Sequence, residues 1–234
     1  METIQIQLPN GGQRPFYHRG SPADLGVVRQ MFQNHDYSLS RLQRGKELQS
    51  LYESLARGNS KPFILDAGAN IGASVCWFAI SFPQSHIVAF EPDGPNFELL
   101  QQNTAGLDVD LHRAAIGATD GKVSIVDPGL GEWGYRAEID MKGPIELRSI
   151  SSIVSSKCSG GLTPFIAKID IEGGEKDLFR EPNEWVHTFP LLIVELHDWL
   201  LPRQGTSRSF LECMSKADRD FVHVGENIFS IRNS

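Results

Sequence analysis

Cysteine is scarce in this chain: 234 residues carry only Cys76, Cys158 and Cys213, far apart, with no C-x-x-C pair and no His and Cys at zinc-ligand intervals. A disulfide framework and a zinc finger are thereby excluded, and reduced thiols in a cytoplasmic protein are the expectation. Positive charge is also in short supply. Lys and Arg number 22 against 29 Asp and Glu, a formal net charge of -7, so no nucleic acid is expected as a partner. No apolar run approaches the roughly 18 residues that cross a membrane, and the opening METIQIQLPNGGQRP has neither the basic nor the apolar region of a secretory signal. No membrane partner is expected. Internal repeats and low-complexity tracts are missing too, which removes solenoids and propellers.

What is present is a globular balance, 40% hydrophobic and 22% charged, at a length that suits one large α/β domain. From Ser21 to Arg57 apolar residues recur at helical spacing, with Ser21 as cap, Pro22 in the first turn and Gly58 to Pro62 as the stop. Residues 1–60 are therefore expected to form an N-terminal helical cover, and 61–234 one compact domain. Short apolar segments follow at Phe63–Leu65, His86–Phe90, Val109–His112, Phe165–Ile171 and Leu191–Leu196. They are continuously apolar rather than alternating, as strands of a parallel sheet covered on both faces must be, and helical patterns lie between most of them. Phe221–Val224 and Ile228–Ile231 flank Gly225-Glu226-Asn227 and predict an antiparallel C-terminal hairpin. The fold class is α/β, with a mostly parallel, Rossmann-like sheet.

The first strand runs into Asp66-Ala-Gly68-Ala-Asn70-Ile-Gly72 and then a helical segment. Gly68 permits a tight bend and close ligand approach, Asn70 tolerates a left-handed conformation, and Gly72 lets the helix pack closely. Twenty-three residues beyond Gly68, Glu91 closes the next strand, where a carboxylate can bind ribose hydroxyls. A dinucleotide site would prefer G-x-G-x-x-G. Here Asn70 replaces the middle glycine and Asp66 stands at the loop entrance, unfavourable for phosphates but suited to the ammonium and sulfonium of S-adenosylmethionine. Small residues around Ala114, past the third strand, could border adenine or merely allow a tight exit.

In Lys168-Ile-Asp170-Ile-Glu172-Gly-Gly-Glu175, strand alternation sends Lys168, Asp170 and Glu172 to one face, and Glu195 and His197 end the next strand likewise. Buried ionisable groups are costly unless paired or functional, and ligands of open α/β sheets bind beyond the carboxyl ends of strands.

Together, Asp66-Ala-Gly-Ala-Asn-Ile-Gly72, Phe90-Glu-Pro92, Lys168 to Glu175 and Glu195-Leu-His197 resemble the signature motifs of the FkbM family of S-adenosylmethionine-dependent methyltransferases. The resemblance implies a seven-stranded class I methyltransferase sheet and O-methylation of a hydroxyl on a sugar or polyketide-type natural product. It also implies that Tyr37 closes over the cofactor. A small-molecule acceptor with a hydroxyl group is the expected partner.

For such a transfer, His197 is the natural base, with Glu195 to orient it and Asp170 and Glu172 completing the catalytic cluster. Asp170 also belongs to the cofactor set of Tyr37, Asp66, Gly68, Asn70, Gly72, Glu91 and Ala114. Carboxylates plus imidazole also suit a divalent metal, Mg or Mn, on Asp170, Glu195 and His197; a salt-bridged network with Lys168 is the other reading. Trp133, within a glycine-rich stretch, is a candidate aromatic platform, and no motif explains 120–144. Arg14, Arg203 and Arg208 admit contact with an acidic substrate or plain solvation. An NAD- or nucleotide-sugar-dependent oxidoreductase and an inactive cofactor-binding partner protein are the competing functions.

Overall fold

The computed structural model describes residues 1–8, 11–126, 136–140, 142–180 and 182–233 of the chain. It opens with an antiparallel hairpin, β1 (Glu2–Gln7) and β2 (Gln13–His18), which corrects the expectation of a wholly helical cover over 1–60. The alternation Thr-Ile-Gln-Ile-Gln carries the signal, since period two puts Ile4 and Ile6 on one face, and Ile6 and Phe16 are buried. Asn103 docks the hairpin: its side-chain oxygen accepts from the Tyr17 N–H at 2.7 Å, and its amide donates to the carbonyls of Tyr17 and Ile71. Helices follow. The Ser21 hydroxyl accepts from the Asp24 N–H at 3.2 Å and so caps α1 (Pro22–Arg29). A π-helical turn (Gln30–Asn34) and a 3-10 turn (Leu39–Arg41) lead to α2 (Gly45–Arg57).

Alternating units come next: β3 (Lys61–Ala67), α3 (Ala73–Ser81), β4 (His86–Phe90), α4 (Gly94–Thr104) and β5 (Val109–His112). After a second set of strands, β6 (Ala114–Gly117), β7 (Gly121–Val126), β8 (Arg136–Ile139) and β9 (Ile145–Ser149), the chain continues through α5 (Ile150–Ser159), β10 (Leu162–Ile169), α6 (Glu175–Leu178), β11 (Leu191–Glu195), α7 (Arg208–Lys216), β12 (Arg219–Val224) and β13 (Asn227–Arg232). The main sheet has seven strands in the order β12-β13-β11-β10-β3-β4-β5, with β11, β10, β3, β4 and β5 parallel and the final hairpin antiparallel. This is the Rossmann-like class I arrangement. Phe63 and Ile64 are successive and both fully buried, because opposite faces of β3 sit under opposite layers of the core. Ile6, Phe16 and Tyr52 belong to the same cluster as Ile64, so the N-terminal segment shares the sheet's core.

A second, four-stranded sheet, β6-β9-β7-β8, occupies the region in which no motif was readable. Its strand β9 alternates buried and more open residues, a half-buried pattern too short to stand out in sequence. The small residues near Ala114 begin β6, a separate strand one residue beyond β5. Trp133 lies outside the described residues. Among the described residues no helix is long and apolar enough to cross a membrane.

Strand β10 ends at Ile169 and β11 at Glu195, so Asp170, Glu172 and His197 stand past the strands rather than in them. Glu172 has φ 54, and simple face alternation does not govern it.

Candidate active site

The β3–α3 turn is shaped by three left-handed residues, Gly68 (φ 83), Asn70 (φ 49) and Gly72 (φ 91). A Cβ on Gly68 would lie 1.8 Å from the Asp170 carbonyl oxygen, so only glycine lets the ends of β3 and β10 approach this closely. Asn70 holds its conformation with its own side-chain oxygen, which accepts from the Ile71 N–H at 2.8 Å. Gly72 packs on α4 rather than on the strand, since a Cβ there would meet Leu100 Cδ1 at 3.0 Å.

Glu91 stands across this turn. Its carboxylate accepts the N–H groups of Asn70 at 2.8 Å and Asp93 at 2.9 Å, while burial pushes its pKa up to about 7 against those bonds. Gly68, Asn70, Glu91 and Ala114 line a cavity of about 300 Å³, together with Asp170 and Glu172. Ile116, Val123, Ile125 and Leu147 of the second sheet form another part of its wall, so the region without a motif encloses the site.

Behind the cavity lies a charged knot. The buried Lys168 ammonium is 3.2 Å from Asp66 Oδ1 and 3.4 Å from Asp170 Oδ2, and it donates to the Gly68 carbonyl at 2.5 Å. Burial works against its charge, but Asp66 and Asp170 hold its pKa above the ordinary lysine value. Asp66 also accepts from the Ser74 hydroxyl at 2.5 Å and is fully buried. Its carboxylate therefore braces the glycine turn from within and does not line the cavity, unlike the expectation that it meets the cofactor. Tyr37 is likewise buried, stacked on Phe78 at 5.6 Å, with its phenol pKa pushed up by burial and its hydroxyl under the influence of Lys168 and Asp170. It borders the knot and not the cavity.

His197, 1% exposed, is ringed by carboxylates. Its Nδ1 meets Glu175 Oε1 at 3.0 Å, and its Nε2 faces Glu172 at 3.4 Å, Asp170 at 3.5 Å and Glu195 at 3.7 Å. The group that orients the imidazole is thus Glu175 and not Glu195. Glu175 is fully buried and accepts from the Ile171 N–H at 3.1 Å, and its Oε2 has no hydrogen-bond partner. Glu175 was visible in the segment Asp170 to Glu175, but its spacing did not separate a cavity-facing acid from one turned inward. Burial opposes the imidazolium, yet Glu175, Asp170 and Glu172 raise the His197 pKa to about 10. Burial and Asp170 lift Glu172 and Glu195 to about 8. A protonated His197 cannot accept a proton, so in this state it counterbalances the acids. Oxygen and nitrogen atoms of Asp170, Glu172 and His197 lie within 4.8 Å of one another and could hold a metal; Glu172 takes the place that sequence reading gave to Glu195.

A family model described as Methyltransferase FkbM domain matches residues 66–223. Hexuronic acid methyltransferase AglP of Haloferax volcanii is 24% identical over 144 residues, 60% of this chain and 58% of that protein. Methyltransferase 1 of Beauveria bassiana is 35% identical over 163 residues, 58% of this chain and 65% of that protein. The alignments thus span less than two thirds of either relative. Among solved structures, the O-methyltransferase TomG of Streptomyces achromogenes, in complex with SAM, is 14% identical with a TM-score of 0.46, covering 92% of each chain.

Proposed function

The chain belongs to the FkbM methyltransferase family, and on that premise we propose that it transfers a methyl group from S-adenosylmethionine to a hydroxyl oxygen of a sugar or polyketide-type small molecule. One observation carries this reading: the glycine turn, Glu91 and the Asp170–Glu172 pair open onto the same cavity. The residues fit the cofactor's charge as well. Around the strand ends, Asp66, Asp170 and Glu175 outnumber Lys168 and His197, and Glu172 and Glu195, their pKa values raised to about 8, add charge wherever a cationic ligand favours their ionised forms. The name of the Haloferax volcanii relative, a hexuronic acid methyltransferase, supports a sugar as the acceptor class.

When bound, S-adenosylmethionine supplies a methyl group on a sulfonium that leaves as a neutral thioether. The protein's own tasks are alignment, water exclusion and proton handling. Gly68 and Asn70 present backbone, Glu91 offers its remaining lone pairs to ribose hydroxyls, and the small side chain of Ala114 leaves room for the adenine edge. Glu172, open to the cavity, takes the hydroxyl proton in its ionised form as the acceptor oxygen forms its bond to carbon. Burial and Asp170 raise its pKa to about 8, so that form grows as pH rises above neutrality. His197 holds Glu172 and Asp170 in place from behind, and Glu175 fixes the ring. Asp170, Glu172 and His197 would hold a divalent metal such as Mg or Mn, which would supply acidification of a bound hydroxyl.

Calorimetric titration with S-adenosylhomocysteine and with NADH tests the cofactor. Micromolar affinity for the first and none for the second is expected; the reverse makes the protein an oxidoreductase. Radiolabelled methyl transfer to uronic acids and neutral sugars, with and without Mg and chelator, then tests turnover. Binding without transfer to any acceptor would leave a cofactor-binding partner protein.

A further inference from the structure

The loop after β11 is closed and pinned. Asp198 Oδ1 accepts from the Thr206 N–H at 2.8 Å and its hydroxyl at 2.7 Å, and Oδ2 accepts from the Ser207 hydroxyl, which ties the two ends. Leu201 anchors the middle: it is 2% exposed, and a Cβ on Gly173 would lie 2.5 Å from its Cδ1. A loop held this firmly could bury its aromatic residue, yet Trp199 is 63% exposed while Trp185 is 4% exposed. The Trp199 ring stands 6.4 Å from that of His197, at the rim of the acid cluster.

The same loop supplies one side of a second cleft, of about 350 Å³, bordered by Lys176, Arg180, Arg203, Arg208 and Glu212. Arg180 pairs with Asp177 at 3.1 Å, but Lys176, Arg203 and Arg208 make no ion pair among the described residues. Three cations without an ion pair thus border one cleft, with Glu212 the acid among its lining residues, in a chain of net charge -7. The start of α7 at Arg208 adds its partial positive charge. Arg203 is held there with φ 70, an unusual conformation for a side chain of this size. Arg14 makes the contrast: its guanidinium donates to the carbonyls of Asn103 at 2.6 Å and Ala105 at 3.2 Å and is committed to structure. Helix α6 divides the two spaces, for Asp177 lines the cofactor cavity while Lys176 and Arg180 line the cleft.

We infer that this cleft is an oxyanion subsite of the acceptor, in which Lys176, Arg203 and Arg208 take a carboxylate or phosphate group and Trp199 stacks on the ring that bears it, the reacting hydroxyl lying on a further unit that reaches past α6 into the cavity. The cleft is assigned to the acceptor on the strength of the methyl-transfer reading; its affinity for an oxyanion does not depend on that reading. Planar guanidinium groups match carboxylate and phosphate, and an indole face covers the C–H face of a sugar ring.

The protein, saturated with S-adenosylhomocysteine, is titrated calorimetrically with inorganic pyrophosphate and, separately, with glucuronic acid. A saturable site for at least one is expected, weakened about tenfold or more in the double variant Arg203→Gln/Arg208→Gln and unchanged in Arg29→Gln/Arg57→Gln, which removes the same charge elsewhere. Binding of pyrophosphate alone identifies the group as phosphate, and binding of glucuronic acid alone identifies it as carboxylate. Trp199→Ala should weaken glucuronic acid and spare pyrophosphate. Retained S-adenosylhomocysteine affinity shows that each variant is folded. Equal, weak binding of both anions to wild type and the double variant, with S-adenosylhomocysteine still bound, overturns the subsite; failure of S-adenosylhomocysteine to bind wild type overturns the methyltransferase reading instead.

Discussion

At the end of β3 the protein lines its cavity with a glycine turn, whereas at the ends of β10 and β11 it places ionisable side chains. The glycine turn owes its shape to close approach and positive φ, and Glu91 across it has its pKa raised by burial to about 7. The acid cluster owes its shape to balance among charges, with His197 and Lys168 set between carboxylates that burial alone would neutralise. The first region should therefore respond to pH through Glu91 and be intolerant of added atoms. The second should tolerate small changes of shape and respond to every change of charge.

The largest effect is expected from adding one carbon to the first region. Gly68→Ala places a Cβ 1.8 Å from the Asp170 carbonyl oxygen at a residue with φ 83. The positive φ costs about 1 to 2 kcal/mol, and forced separation of two buried strand ends about 1 to 3 kcal/mol more. Thermal denaturation should show this loss, and S-adenosylhomocysteine affinity should fall with it, because the displaced Asp170 is part of the same cavity. A variant with wild-type melting temperature and affinity would show that the turn is not rigid.

A smaller effect, opposite in kind, is expected in the acid cluster. His197, raised to about 10 from 6.5, stabilises the fold fully below its unfolded pKa, and that contribution is lost as pH rises through 10. Glu172 and Glu195, raised from 4.5 to about 8, keep protons in the native state that the unfolded chain has already released, so they too make stability fall as pH rises toward 8. The melting temperature should thus decline between about pH 5 and about pH 10. Glu175→Gln removes the chief partner of the imidazolium. It should cost about 2 kcal/mol near pH 6, lower the His197 pKa in an NMR titration, and flatten the decline. An unchanged His197 titration would assign the raised pKa to Asp170 and Glu172 instead.

The two regions were not equally legible. Gly68, Asn70, Gly72 and Glu91 follow one another along the chain at spacings set by a single strand-turn-helix unit, and the main strands announce themselves as apolar runs, so local pattern sufficed for both. Asp170, Glu172, Glu195 and His197 were recognisable as a group, but not their mutual arrangement. That Glu175 turns inward to Nδ1 while Glu195 sits at Nε2 depends on where β10 and β11 stop and on the left-handed Glu172. Asp66 was misplaced for a related reason: sequence shows an acid at a loop entrance, but not the lysine across the sheet that claims it. The N-terminal hairpin was readable from the alternation around Ile4 and Ile6, and helical signals further on obscured it.

Glu91 is where the comparison can be sharpened, since it is the acid that binds the glycine turn from the cavity side. Ionised, its carboxylate accepts from Asn70 and Asp93 and keeps lone pairs for a ribose; protonated, it gives up part of that capacity while its burial cost disappears. With its pKa pushed up to about 7, half the molecules carry each form near neutrality. Affinity for S-adenosylhomocysteine should therefore strengthen as pH rises through 7 and level off above about 8. Glu91→Gln, which keeps one acceptor oxygen and the shape, should weaken binding by about 1 to 2 kcal/mol and abolish the rise. The amide nitrogen would face one of the two N–H groups that the carboxylate accepts, so thermal stability should fall as well, by about 1 to 2 kcal/mol. If the pH dependence survives in the variant, it originates in Glu172 and Glu195, and the acid cluster rather than the turn controls how tightly the cofactor site closes on its ligand.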